Sequence, residues 1–125
     1  VNEWKKIDEI PFDFERKRIS VLIDNGKHRK IIVKGAPEDI LSSCTHYQQN
    51  NHLKALTSKA RLKLLKLYQK KSEKGYRILA VAWQSKLKSH HKAIIEDETD
   101  LYATQFNIAS SRNSILPLLG VNEYP

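Results

Sequence analysis

The segment ISVLIDNGKHRKIIVK, residues 19–34, decides the fold of this chain. An apolar run at 19–23 is followed at 24–27 by the sequence DNGK, in which Asn and Gly tolerate a positive φ. The segment RKIIVK at 29–34 is then the returning strand. We therefore predict an antiparallel β-hairpin, reached from an irregular stretch that starts at Pro11.

A short helix is predicted directly after the hairpin, beginning at Pro37. Proline suits the first helical position because the N–H that it lacks would be unpaired there. Glu38 and Asp39 fall in the first turn, where acidic groups complement the helix dipole. We expect this helix to end at Ser43 or Cys44 and to be followed at 46–56 by a turn with room for a short strand.

A longer helix is predicted between Thr57, a residue type that caps helix N-termini, and Gly75, a typical C-terminal stop. The segment YRILAVAW at 76–83 is apolar on both faces, as in a central strand. The order hairpin, helix, helix, strand predicts an α+β domain, with a largely antiparallel sheet flanked by helices. The predicted apolar stripe of the longer helix recurs at helical spacing: Ala60, Leu64, Leu67 and Tyr68.

The composition is that of a globular domain. The chain has 125 residues, of which 40% are hydrophobic and 29% charged, so it can bury one core. It has no apolar run near the roughly 20 residues that a membrane helix needs. Its single cysteine, Cys44, excludes an internal disulfide and is expected to be buried. Because it starts at Val1 and contains no methionine, we expect a piece of a longer protein.

The net charge favours anionic partners. Twenty-two Lys and Arg against fourteen Asp and Glu give +8, which suits nucleotides, nucleic acid or a lipid surface without choosing among them. The lysine-rich segment KARLKLLKLYQKK at 59–71 could contact nucleic acid or membrane. Alternatively, its lysines face water around an ordinary apolar stripe.

Lys34 and Gly35 end the second strand of the hairpin. They do not form a Walker A loop, in which a glycine-rich segment precedes the lysine. Because Gly35 has no Cβ, a flat ligand could lie against its backbone while Lys34 reaches over the ligand's edge. The alternative is a turn glycine beside a solvated lysine.

An aromatic and basic stretch precedes the hairpin. Phe12 and Phe14 alternate as if one ring faces the core and the other a pocket, and three cations follow at 16–18, a combination suited to base stacking and anion binding. Alternatively, both rings are core.

Arg77 is either an ion-pair anchor for the sheet or a phosphate ligand. The histidines lack metal-ligand spacing, and neither a catalytic triad nor a carboxylate pair can be built.

Three segments, PFDFERKRISV, KGAPEDILSSC and EKGYRILAVAW, occur in this order and resemble the nucleotide-binding domain of P-type ATPases. These are cation pumps that pass through an aspartyl-phosphate. The resemblance covers residues 3–101, and WKKIDEIPFDFERKRISV is most similar to the bacterial magnesium-transporting branch. It implies one domain at 1–101 that lacks its start. The segment 102–125 does not resemble the family and is expected to be divergent.

The resemblance implies an ATP site. Adenine would stack on Phe12, the polar face of the nucleotide would approach Lys17, Lys34 and Gly35 would line the pocket, and Arg77 would contact the phosphates. Phe14 stands where calcium pumps carry an arginine, so no phosphate contact is assigned to it. The ligand would be Mg-ATP, bound weakly because no phosphate loop is present.

The resemblance also implies how such a domain acts. It would present ATP to a separate phosphorylation domain that supplies the aspartate nucleophile. The motif Asp-Lys-Thr-Gly-Thr is absent from this chain, so we expect no catalytic or metal-binding residue and no turnover by the isolated chain.

The parent protein would be a cation pump, with Mg²⁺ as the transported ion. The implied partners are adenine nucleotide and the phosphorylation and actuator domains, with neither nucleic acid nor direct membrane insertion. The isolated domain would be a monomer, and its location the cytoplasmic face of the inner membrane. Two alternatives stay open: a basic nucleic-acid-binding module and an orphaned fragment that has lost its ligand.

Overall fold

The computed structural model describes residues 3–49, 52–75 and 79–104. Seven strands within these residues form one sheet in the order β1-β2-β3-β6-β7-β4-β5. Among the described pairs only β4 and β7 run parallel, so the prediction of a largely antiparallel α+β domain is confirmed. The elements are β1 Lys5–Asp13, β2 Arg18–Asp24, β3 Arg29–Gly35, α1 Pro37–Leu41, β4 Cys44–Gln49, β5 His52–Ala55, α2 Ser58–Glu73, β6 Ala80–Lys86, a 3-10 helix Ile95–Asp97 and β7 Leu101–Ala103.

The predicted hairpin is confirmed as β2 and β3. Its register places Ile19 opposite Lys34 and Asp24 opposite Arg29. Gly26 has φ +94° and donates its N–H to Asp24 Oδ1 at 2.6 Å, which is the turn chemistry that the sequence indicates.

Side chains alternate along each strand, so the consecutive apolar residues of the central strands bury apolar groups on both faces of the sheet. One face packs against α1 and α2, and the other carries Lys30 with its ammonium 4.4 Å from the ring centre of Trp83. On the helix side the core includes Leu22, Ile31, Val33, Ile40, Leu41, Tyr68 and Leu101. On the opposite face it consists of Val21, Ile23, Ile32 and Val81, with Trp4, Leu79 and Trp83 against them.

Helix α2 begins and ends as predicted. Thr57 Oγ1 accepts the N–H of Ala60 at 3.1 Å, and Gly75 follows the helix with φ +88°. The predicted stripe is wrong at one position, since Leu67 is 40% exposed; Leu65 packs against the core in its place. The lysines at 59, 63, 66 and 70 are exposed, which both interpretations of this helix require.

The stretch before the hairpin is a strand whose pairing is irregular around Pro11. Strand β1 runs through it, and its register against β2 shifts between Ile10 and Asp13. In the described part of the sheet β1 is an edge strand, where the missing N–H of proline costs no ladder hydrogen bond. Helix α1 ends at Leu41, earlier than predicted, because Cys44 already begins β4.

Tertiary pairing adds strands that the local sequence did not predict. The segment 46–56 was expected to be mainly a turn, yet it contributes to the paired strands β4 and β5. Strand β7 begins at Leu101, the predicted domain boundary, and pairs with both β6 and β4. Of the predicted strand 76–83, residues 76–78 lie outside the described part, and β6 covers the rest from Ala80. Within the described ranges no helix has the length and apolar character needed to cross a membrane.

Candidate functional site

One row of residues crosses four adjacent strands at the same end of the sheet. Asp13 of β1 pairs with Arg18 of β2, which pairs with Gly35 of β3, which pairs with Ala80 of β6. Neighbouring strands lie about 4.8 Å apart, so this row is about 14 Å long. It brings the ends of four chain segments together on the scale of one nucleotide.

Four of the five predicted site residues lie in this row or beside it. Phe12 precedes Asp13, and Lys17 precedes Arg18. Gly35 is in the row and Lys34 is next to it. The fifth, Arg77, lies outside the described residues, three positions before Ala80, and its role stays a prediction.

The turn between β1 and β2 packs directly on Gly35. Lys17 donates its N–H to the carbonyl of Asp13 at 2.8 Å, and its backbone is left-handed, with φ 55°. A Cβ built on Gly35 would lie 2.5 Å from the carbonyl oxygen of Lys17. Position 35 therefore requires glycine, because any side chain there would clash with the backbone of Lys17. The same close contact holds the backbone of Lys17 against the end of β3.

The two phenylalanines form an exposed aromatic pair. Phe12 is 53% exposed and Phe14 87%, and their rings meet edge to face, 5.6 Å between centroids and 83° apart. The expectation that one ring is in the core is wrong, and so is the alternative that both are. Two adjacent exposed rings form a small apolar patch at this end of the sheet.

Lys34 lies on the sheet face opposite α1 and α2. It pairs with Ile19 on one side and Val81 on the other, and alternation places its side chain with those of Val81 and Ile32. No hydrogen bond or ion pair to another described residue engages the ammonium of Lys34 or Lys17. Two lysines without such partners therefore lie at the same end of the sheet as the exposed rings.

Arg16 and Arg18 differ from Lys17 because both are used within the fold. Arg18 donates from Nη1 to Ser43 Oγ at 3.0 Å and from Nη2 to the carbonyl of Asp39 at 2.8 Å, which ties β2 to α1. Arg16 binds Asp13 and Glu98. Of these three cations, only the Lys17 side chain has no hydrogen bond or ion pair to another described residue.

Glu98 is a residue of this region that the sequence analysis missed. It is buried, accepts hydrogen bonds from Arg16, and also accepts the hydroxyl of Ser20. The side chain of Glu98 raises the pKa of the Arg16 guanidinium. The only available signal was an acidic run, EDETD at 96–100, which is more typical of a solvated loop.

A separate cleft of about 360 Å³ lies between the two α-helices. It contains none of the predicted site residues, and it is mostly on the far side of the sheet from Lys34. The strand-end row differs from this cleft, because it has exposed aromatic rings and two lysines without ion pairs among the described residues. The cleft is lined by Pro37, Glu38, Leu65, Tyr68, Gln69 and Ser72.

Cys44 is buried, as expected, and its thiol donates to the carbonyl of Ile40 at 3.2 Å. Burial raises its pKa to about 12, so the thiol is neutral and not a nucleophile at ordinary pH. In the described parts of the chain no three His, Cys, Asp or Glu side chains are grouped so that they could bind a metal ion.

Comparison with known proteins establishes the class. The chain belongs to the P-type ATPases: the sequence model of the family described as "P-type ATPase, cytoplasmic domain N" matches residues 1–119. The match extends beyond residue 101, where the resemblance noted above ended. The chain is thus a cytoplasmic N domain of a cation-pump family, which confirms the family predicted from the three motifs.

Curated relatives carry transport names. "Magnesium-transporting ATPase, P-type 1" of Escherichia coli is 38% identical over 82 residues, 65% of this chain and 9% of that protein. The protein of the same name from Salmonella typhimurium is 37% identical over 100 residues, 77% of this chain and 11% of its own length. A "Calcium-transporting ATPase" of Plasmodium falciparum is 35% identical over 84 residues, 66% of this chain and 7% of that protein. The chain spans about a tenth of these relatives.

Proposed function

We propose that this domain binds ATP and presents it to a separate phosphorylation domain of a magnesium-transporting pump. The row from Asp13 to Ala80 carries the proposal, because it assembles Phe12, Lys17 and Lys34 at one end of the sheet. Membership of the N-domain family and the names of the magnesium-transporting relatives support it.

The chemistry of the site suits an adenine nucleotide. The exposed ring of Phe12 offers a face for stacking, worth about 1–3 kcal/mol per base. Lys17 and Lys34 offer positive charge to ribose and phosphate oxygens without first breaking an ion pair within the described structure. Arg77, which precedes β6 in the chain, would contact the phosphates, and Gly35, having no side chain, would leave room for the nucleotide.

The same features predict weak binding. The site has no glycine-rich loop, and Glu38 and Asp39 occupy the first turn of α1, where a phosphate would otherwise bind. A site that binds base and ribose leaves the terminal phosphate free to react elsewhere. This division suits a pump in which the nucleophilic aspartate belongs to another domain and catalysis depends on positioning.

The wider role follows from the family. The proposed partners are the phosphorylation and actuator domains, the proposed transported ion is Mg²⁺, and the proposed location is the cytoplasmic face of the membrane. The segment 102–125 is proposed as a divergent continuation of the N domain at 1–101.

A second candidate, nucleic-acid binding, is favoured by one observation. Lys59, Lys63, Lys66 and Lys70 recur at helical spacing and are all exposed on α2. This function predicts affinity for DNA or RNA that falls steeply with salt, and shifts on α2 rather than at the strand ends.

The test is an NMR titration of the ¹⁵N-labelled domain with ATP, AMP and GTP. We expect saturable shifts at Phe12, Lys17, Lys34, Gly35 and Arg77 at millimolar nucleotide, similar for ATP and AMP and weaker for GTP. The absence of saturable shifts would overturn the proposal. A parallel titration with single-stranded DNA at two salt concentrations tests the second candidate.

A further inference from the structure

Glu98 reaches the turn between β1 and β2 from 82 positions away in the chain. Its Oε1 accepts from Arg16 Nε at 3.2 Å and its Oε2 from Arg16 Nη2 at 2.9 Å. This is a two-point pairing of carboxylate and guanidinium, which fixes orientation as well as distance. The residue is only 8% exposed, and its Oε2 also accepts the hydroxyl of the fully buried Ser20 of β2.

Arg16 in turn binds the backbone on both sides of the turn. Its guanidinium donates to the carbonyl of Pro11 at 3.3 Å and to the carbonyl of Arg18 at 3.3 Å. It also pairs with the side chain of Asp13, whose Oδ1 accepts the Arg16 N–H at 2.6 Å. One side chain thus connects the end of β1 to the start of β2.

The proposed nucleotide contacts lie on the segment that Arg16 connects. Phe12 follows Pro11, Lys17 precedes Arg18, and Phe14 lies between them. The turn itself is exposed at Phe14 and Lys17, so it contributes little burial of its own. Beyond the backbone contacts of Lys17 with Asp13 and Gly35, its conformation depends on the polar contacts of Arg16, and Arg16 is oriented by Glu98.

We propose that Glu98 is a positioning residue of the nucleotide site: through Arg16 it holds the β1–β2 turn so that Phe12, Phe14 and Lys17 are pre-arranged for the nucleotide. Glu98 itself does not touch the ligand. The proposal rests on the proposed function and adds a residue to it that lies outside the three motifs of the family resemblance.

The experiment compares Glu98→Gln with Asp97→Asn in the ¹⁵N-labelled domain. Asp97 is a matched control, since it neighbours Glu98 and is 3% exposed. Its carboxylate pairs with Lys86 and His90 and accepts the N–H of Ile94, and it makes no contact of this kind with the β1–β2 turn among the described residues. Both variants remove one buried charge. For each we would measure thermal stability, the ¹H–¹⁵N NOE of residues 14–17, and the Kd for ATP.

We expect both variants to lose stability, but only Glu98→Gln to lower the NOE of the turn. Its Kd should rise about tenfold, because the nucleotide must then order side chains that the wild type holds in place. Asp97→Asn should bind within about twofold of the wild type. Equal binding by Glu98→Gln and wild type, or equal loss in both variants, would overturn the positioning role.

A second variant covers the case in which Glu98→Gln does not fold. Arg16→Lys keeps the charge near Glu98 but lacks the planar fork that reaches the two carbonyls, so we expect the same lower NOE and weaker binding. Normal ATP binding by a folded Arg16→Lys would overturn the inference. If the wild type shows no saturable shifts with ATP, the proposed function itself fails. If the wild type binds ATP and the variants bind it equally well, only the positioning role of Glu98 fails.

Discussion

The carbonyl oxygen of Lys17 lies 2.5 Å from the point that a Cβ on Gly35 would occupy. Real Cβ atoms do not approach a backbone oxygen so closely, so this contact permits only glycine. It joins the turn after β1 to the end of β3, and it sets two proposed nucleotide contacts side by side. The glycine of the KGAPE motif is thus explained by packing within the protein, whatever it also does for a ligand.

Gly35→Ala should therefore destabilise the domain and displace the turn. The contact is with backbone atoms that cannot rotate away, so we expect a loss of about 1–3 kcal/mol in the free energy of unfolding, measured with urea. Amide shifts should change at Lys17 and Arg18. Gly75→Ala is the control, because a Cβ at Gly75 meets open space and only the positive φ of that residue is disfavoured. Unchanged amide chemical shifts of Lys17 and Arg18 in Gly35→Ala would refute the prediction.

Phe12→Ala should weaken ATP binding by about 1–3 kcal/mol, the value of one base–aromatic stack. Phe12 is half exposed, so the free energy of unfolding should change by less than about 1 kcal/mol. Isothermal titration calorimetry and urea unfolding separate the two effects. Phe14→Ala is the comparison, since it keeps the Phe12 ring but removes its edge-to-face partner; a larger loss in Phe14→Ala would transfer the stacking role to Phe14.

Lys34→Ala should weaken ATP binding by up to about fivefold, the scale of a partly screened charge contact. The fold should survive, because the side chain has no ion pair with any other described residue. Lys27→Ala is the matched control, since it removes an exposed lysine at the opposite end of the same hairpin. Equal affinity in both variants would remove Lys34 from the site.

Asp24 should stabilise the domain at neutral pH and cease to do so in acid. Its pairs with Lys88 at 2.8 Å and Arg29 at 2.7 Å hold the pKa of this carboxyl well below its usual range. The contribution is complete above the unfolded pKa of about 3.9 and is lost as the pH falls through the lower folded pKa. Asp24→Asn should therefore cost about 1 kcal/mol at pH 7 and progressively less below about pH 4.

Urea unfolding of wild type and Asp24→Asn at pH 7 and pH 3 measures this difference. A gap between the two proteins that widens toward acid would contradict the assignment.

Cys44 should resist alkylation in the folded domain. Because burial raises its pKa to about 12, iodoacetamide at pH 8 should react on the order of a hundredfold or more slowly than in urea. Mass spectrometry follows the reaction. Ser58→Cys in a Cys44→Ser background supplies an exposed thiol for comparison, and equal rates for the two cysteines in folded protein would show that Cys44 is accessible.

Local sequence was sufficient for the elements whose signals are short-range. The β2–β3 hairpin follows from two apolar runs and a turn in which Gly26 takes a positive φ. Helix α2 follows from its Thr57 cap, its apolar stripe and Gly75. The family was predicted from three motifs and is confirmed, whereas the site residues that those motifs imply stay a prediction.

The strands that prediction missed are those whose stability comes from distant partners. Strand β1 includes Pro11, which is acceptable because it is an edge residue in the described sheet, a property that no local window shows. Strand β7 has three residues and exists because β6 and β4 lie on either side of it. The burial of Tyr68 and the exposure of Leu67 likewise depend on which side of α2 meets the sheet.

Local patterns and motifs are sufficient to predict the family, the hairpin, the main helix and the set of residues from which a nucleotide site could be made. How those residues are used depends on the tertiary structure. It exposed both phenylalanines, bound Arg16 and Arg18 within the fold, left Lys17 and Lys34 without partners among the described residues, and brought Glu98 to the turn. The reason is physical: turns and caps depend on a few neighbouring residues, whereas burial and ion pairing depend on which distant segments the sheet places side by side.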